Sequence, residues 1–127
     1  MKISGQGREL RVYIGESDQY KGRPLYQAIV RMFKEEGLAG ATVIRGIEGF
    51  GANSRIHTTN ILRLSEDLPV VVIAVDSQEY IDKVLPRLNE MVTEGLITIR
   101  DVDVIKYTHG KAEAEQQPEP RSEAKPG

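Results

Sequence analysis

The apolar and polar positions of this chain fall into periodic blocks separated by polar, glycine-containing segments. Leu10, Val12 and Ile14 alternate with Arg11 and Tyr13, the period of a half-buried strand. Gly15 to Gly22 is a polar loop. Pro24 suits a first helical position, where its missing N–H would be unpaired anyway. Leu25, Ala28, Ile29, Met32 and Phe33 recur at helical spacing and Gly37 suits the C′ site, so the pattern predicts an amphipathic helix over 24–36. Ala41 to Glu48 reads as the second strand. Gly49 to Thr59 is a polar loop with little periodicity, and Ile61 to Leu64 resumes extended structure.

Val70 to Val75 is a continuous, largely β-branched run, which predicts a strand buried on both faces. Asp76 or Ser77 can cap the helix that follows. Ile81, Val84, Leu85, Leu88, Met91 and Val92 form its buried stripe, Pro86 should kink it or force a local break, and Gly95 ends it. In the last strand Ile97 and Ile99 share one parity and Val102 and Val104 the other, so a bulge or bend is expected near Arg100–Asp101. The order βαββαβ predicts an α/β (α+β) fold, a ferredoxin-like sandwich with a four-stranded antiparallel sheet and two helices on one face. The other sheet face would be bare in a monomer, yet Val70 to Val75 is apolar on both parities. Self-association is the simplest cover, so a homo-oligomer is expected.

Composition narrows the function. A chain of 127 residues is one domain by length and long enough for a core without staples. It has no cysteine, which excludes disulfides, thiolate metal sites and cysteine nucleophiles and favours a cytoplasmic address. With 17 basic and 19 acidic residues scattered along it, there is no basic excess to drive nucleic-acid binding. No apolar run approaches a membrane span, and Met1 to Gly5 lacks a signal-peptide core, so no direct membrane insertion is expected. Residues 111–127 contain no large apolar side chain and read as a disordered tail after a domain over 1–110.

Candidate chemistry gathers between Gly37 and His57. Gly49-Phe50-Gly51 at a strand exit either lines a ligand with close-approaching backbone or makes a plain turn. Arg45, Arg55 and His57 are the best anion partners near it, because guanidinium can grip phosphate through two N–H groups. Arg45 lies within a strand, at an interface or in a salt bridge. Ser17-Asp18 with Lys21 and Arg23 either faces the same cleft or serves turn chemistry. The only histidines, His57 and His109, are far apart, and no metal-ligand spacing stands out. No catalytic order of residues is identifiable, so an enzyme is not expected.

Gly37-Leu38-Ala39-Gly40-Ala41-Thr42-Val43 followed by Gly49-Phe50-Gly51 resembles the second strand and T-loop entry of PII signalling proteins. More closely, the chain resembles a PII-like prokaryotic family known as domain of unknown function family 190. Tyr13 to Ser17, Pro24 to Ile29, Gly37 to Gly51, Ile56 to Thr58, Ile61 to Val70 and Leu85-Pro86 carry that likeness. The resemblance implies a homotrimer whose bare sheet faces meet centrally, with an adenine nucleotide in the clefts between subunits. It implies that Thr42 contacts adenine, that Gly49, Phe50 and Gly51 line the cleft, and that loop 52–60, including Asn53, Ser54, Arg55 and His57, engages a partner protein. Family members are often encoded near small ion transporters, which implies a membrane transporter or channel as that partner.

Departures limit the likeness. Ala52-Asn53 replaces the Arg-Gln of PII proteins, which argues against 2-oxoglutarate sensing, and Glu94-Gly95-Leu96 runs directly into a strand where PII proteins carry a lysine-containing phosphate loop. Two alternatives remain: a ligand-independent trimeric assembly module, and a divalent-metal-binding protein like the CutA group.

Overall fold

The computed structural model describes residues 5–50, the backbone of 57–58, and residues 67–108. Six main elements follow in chain order: β1 (Gly5–Gly15), α1 (Leu25–Glu35), β2 (Thr42–Arg45), β3 (Pro69–Asp76), α2 (Gln78–Met91) and β4 (Leu96–Val104). The strands form one four-stranded antiparallel sheet in the order β2-β3-β1-β4. This is the expected ferredoxin-like sandwich, with both helices on one face. The expected tail and Ile61–Leu64 lie outside the described residues.

The helix side of the sheet carries the core. Leu10, Val12 and Ile14 of β1 and Val70, Val72 and Ala74 of β3 are buried against Ile29, Met32 and Phe33 of α1 and Ile81, Val84 and Leu88 of α2. The two helices present these side chains at 3.6-residue spacing, the strands at spacing 2, so one apolar layer fills the gap between sheet and helices.

Local signals explain the ends of the elements. Pro24 is the N-cap of α1, one position earlier than expected, and the Leu25 N–H donates to the Asp18 carbonyl at 2.8 Å. Gly37, at φ +89°, closes α1: its N–H donates to the Lys34 carbonyl and that of Leu38 to the Phe33 carbonyl, the two bonds of a Schellman cap. The loop after β1 contains an unforeseen tight ribbon. Gln19–Tyr20 pairs with Arg23–Pro24 across Lys21 and Gly22, both at positive φ as a type I′ turn requires.

Four expectations are corrected. The strand expected over 41–48 splits, because β2 leaves the ladder where Pro69 opens β3. Gly46 donates to the Pro69 carbonyl at 2.6 Å, but Pro69 has no N–H to return and pairing stops. Glu48–Gly49 pairs instead with His57–Thr58. α2 is helical without a break through Pro86, which is exposed, so the carbonyl it leaves unpaired can meet solvent. α2 also ends at Met91, short of Gly95. Finally, β4 holds one register along β1 from Tyr13↔Leu96 to Gly5↔Val104, so there is no bulge at Arg100–Asp101. The phase change is real but has another cause: Ile97 and Ile99 face the helices, whereas Val102 and Val104 lie on the opposite face.

That opposite face is open. Directly paired residues share a face, so the register places Ile44, Val71, Tyr13 and Leu96 in one row across all four strands. Thr42, Ile73, Arg11 and Thr98 form the next row. In β3 burial alternates: Val70, Val72 and Ala74 are buried, while Val71, Ile73 and Val75 are half-buried. The strand expected to be covered twice is therefore covered once within a single chain.

Candidate functional site

Three chain segments converge where β2 ends. The loop after β1 brings Gly15 to Asp18, β2 brings Arg45 and Gly46, and the approach to β3 brings Asp67 to Pro69. Hydrogen bonds from backbone N–H groups knit them together. The Glu16 N–H donates to the Leu68 carbonyl at 2.7 Å, and the Ser17 N–H donates to Asp67 Oδ1 at 2.7 Å. The Gly15 N–H donates to Asp18 Oδ2 at 3.0 Å, so Asp18 serves turn chemistry. A Cβ at Gly15 would fall 2.5 Å from Asp67 Oδ2, so only glycine lets that carboxylate reach Ser17 undisturbed.

Arg45 stands at the rim of this junction. Its guanidinium donates to the Glu16 carboxylate, and that ion pair, before its own partial desolvation, pushes the Arg45 pKa further above its ordinary value. Of the two sequence readings of Arg45, the salt bridge is present within the chain. Glu16 and Asp67 were missed by sequence reasoning. Glu16 is 29 residues from Arg45 and Asp67 is 50 from Ser17, so no local pattern announces either contact.

The other candidates scatter around this point. Thr42 is exposed on β2 but pairs with Ile73, whereas Arg45 pairs with Val70. They therefore sit on opposite faces of the edge strand, about 10 Å apart along it. A single group touching both must wrap that edge. Gly49 pairs in register with His57, which brings the two ends of the expected loop side by side. A Cβ at Gly46 would fall 2.8 Å from the Pro69 ring, too close to stand without a shift, and one at Gly49 would make a tight contact with it at 3.2 Å. These glycines thus admit Pro69. Phe50 is 74% exposed and Ile47 73%, an apolar pair at the strand exit. Gly51, Asn53, Ser54 and Arg55 lie outside the described residues, as does the side chain of His57. Among the described residues no group of three His, Cys, Asp or Glu side chains could hold a metal ion, and no helix is long and apolar enough to cross a membrane.

A charged cluster on the open sheet face also escaped the sequence reading. Glu9 Oε1 accepts from Arg11 Nε at 2.9 Å and from Arg100 Nε at 3.0 Å. Burial alone would raise the Glu9 pKa, but the two guanidiniums outweigh it and hold the carboxyl below the usual glutamate range. A carboxyl whose folded pKa is depressed contributes stability that is full above its unfolded pKa and lost as the pH falls through its folded pKa. Wild type should therefore lose more urea resistance than Glu9→Gln between about pH 5 and pH 3. Equal acid sensitivity of the two would show that the cluster does not act on stability.

The sandwich is similar in fold to solved PII-like proteins. CPII, a nitrogen regulatory PII-like protein from Thiomonas intermedia K12 solved with ADP, AMP and bicarbonate, superposes with a TM-score of 0.60 at 16% identity, covering 78% of this chain and 88% of that one. A Thermus thermophilus protein described as PII-like superposes at 0.58 with 17% identity over 80% of this chain and 91% of its own. Residues 7–104 match the DUF190 family model, described as Uncharacterized ACR, and the chain belongs to that family. A UPF0166 protein from Methanocaldococcus jannaschii is 42% identical over 98 residues, 76% of this chain and 90% of the relative.

Proposed function

We propose that this protein is a cytoplasmic, non-enzymatic PII-like regulator. It assembles as a homotrimer through the open sheet face, binds an adenine nucleotide between subunits at the exit of β2, and signals to a partner protein through the loop that follows. A membrane transporter or channel is the partner class that the family resemblance favours. The observation that carries this reading is the edge strand itself: β2 presents Thr42 on the uncovered sheet face and Arg45 on the other side of the same edge, both exposed. A second copy covering that face would turn the edge into a cleft. The PII-like neighbour solved with ADP and AMP supports an adenine nucleotide as the occupant.

The test is thermal unfolding against ADP, AMP, ATP, bicarbonate, 2-oxoglutarate and divalent ions. A ligand at one hundred times its Kd should add about 2.7 kcal/mol of stability. We expect a shift with ADP or AMP, and about a tenfold loss of affinity in Thr42→Val, which deletes the hydroxyl at nearly constant shape. Silence with every nucleotide would favour a trimeric assembly module that works by surface contacts alone. A shift confined to divalent ions would favour a metal-binding protein.

A further inference from the structure

We propose that Glu16 is a built-in competitor for the anion site at Arg45, so that a phosphate group binds there by exchange with the Glu16 carboxylate. This rests on the reading of the β2 exit as the nucleotide site. The guanidinium fork fits a carboxylate or a phosphate through paired N–H groups, so the two anions are alternatives for the same donors. Within the chain, the carboxylate of Glu16 already takes one of those donors, accepting from Arg45 Nη2 through its Oε2.

The two partners are not held alike. The Glu16 side chain is 27% exposed, and its backbone is tied through the Leu68 carbonyl, with Ser17 tied next to it by Asp67. Arg45 is 58% exposed and ends a four-residue edge strand, where the ladder stops at Pro69. The carboxylate is thus presented by a fixed loop, and the guanidinium is the member able to turn towards solvent. Asp18 of the same loop and Asp67 of the segment before β3 stand near Glu16, but each accepts a backbone N–H, which leaves Glu16 as the carboxylate that meets Arg45.

Exchange also bears on specificity. A terminal phosphate carries more negative charge than one carboxylate and displaces it, whereas an uncharged nucleoside has nothing to offer the fork. Glu16 therefore lowers the affinity of phosphate-bearing ligands while leaving uncharged ones unaffected, and it keeps the guanidinium neutralised until a phosphate arrives.

Calorimetric titration of ADP and adenosine into wild type, Glu16→Gln, Glu16→Asp, Arg45→Gln and the double variant Glu16→Gln/Arg45→Gln tests this. An exposed ion pair of this kind corresponds to about a two- to fivefold change in affinity. Glu16→Gln should tighten ADP by that factor and leave adenosine unchanged. Glu16→Asp keeps the charge but withdraws it, and should also tighten ADP. Arg45→Gln should weaken ADP about tenfold, and the double variant should match Arg45→Gln alone. Unchanged ADP affinity in both Glu16 variants, with Arg45→Gln weakened, overturns the exchange and leaves the site. A gain that persists without Arg45 also overturns it, since it would reflect net charge. Arg45→Gln binding ADP like wild type removes the β2 exit from the nucleotide site and the exchange with it, as does wild type binding no ADP.

Discussion

Asp76→Ala is expected to destabilise the folded chain by about 2–4 kcal/mol, the largest single-residue effect we foresee. Asp76 is fully buried at the end of β3. Its Oδ2 accepts the Ala39 N–H at 2.8 Å and its Oδ1 accepts the Ser77 N–H at 2.7 Å. Removing the carboxylate strips both amides of an acceptor in a partly buried setting, and each such loss is costly because water cannot fully replace it. For a domain of about a hundred residues this lowers the unfolding midpoint by at least about 8 °C. Asp76→Asn keeps one acceptor oxygen and should recover part of the loss. Thermal unfolding at a fixed protein concentration checks both variants; an Ala variant melting within about 2 °C of wild type would show that the two bonds contribute little.

The same contact reaches the proposed site. Ala39 is held from two sides, its N–H by Asp76 and its carbonyl by the Tyr107 hydroxyl at 3.3 Å. It lies in the segment that leads from the Gly37 cap into β2, and so helps set where Thr42 begins the edge strand. Asp76→Ala should loosen ligand binding as well as the fold, although Asp76 lies at the other end of β3 from Arg45's partner Val70.

Asp76 also marks the limit of what the sequence discloses. Its place between an apolar run and an amphipathic helix makes it legible as a cap, and Ser77 next to it does take that role, accepting the Tyr80 N–H. The tertiary bond to Ala39 spans 37 residues and has no local signature. The same division holds elsewhere. Helix α1, the Gly37 cap and the strand around Val70–Val75 are short-range patterns of burial and backbone freedom, and the pattern alone places them. The Glu16–Arg45 and Glu9–Arg100 pairs depend on strand order and register, with partners 29 and 91 residues apart. The phase change in β4 shows a pattern correctly seen and wrongly explained: one chain read alone suggests a bulge, whereas a strand with apolar side chains on both faces needs none.

Val71→Asp is expected to convert the proposed trimer into a folded monomer. Val71 lies in the row Ile44, Val71, Tyr13 and Leu96, where every strand contributes an apolar side chain to the open face. Ile44 is 49% and Leu96 55% exposed in the single chain, so there is apolar area left to cover. Covering a side chain of this size is worth up to about 1.5–3 kcal/mol, and each subunit would offer several. A carboxylate at the centre of that row must instead be buried without a partner, which reverses the sign of the contribution. The fold should survive, because Val71 points away from the helices and the core lies behind Val70 and Val72. Sedimentation equilibrium at micromolar concentration, with far-ultraviolet circular dichroism as the control for folding, separates the outcomes. Glu90→Lys, on the solvent side of α2, should sediment as wild type. A Val71→Asp protein that still sediments as three subunits would move the interface to another face, and a wild-type monomer would remove the trimer altogether. A folded monomeric variant that also fails to bind ADP would tie the nucleotide site to the subunit cleft, since Val71 pairs with Ile44, on the same short edge strand as Thr42 and Arg45.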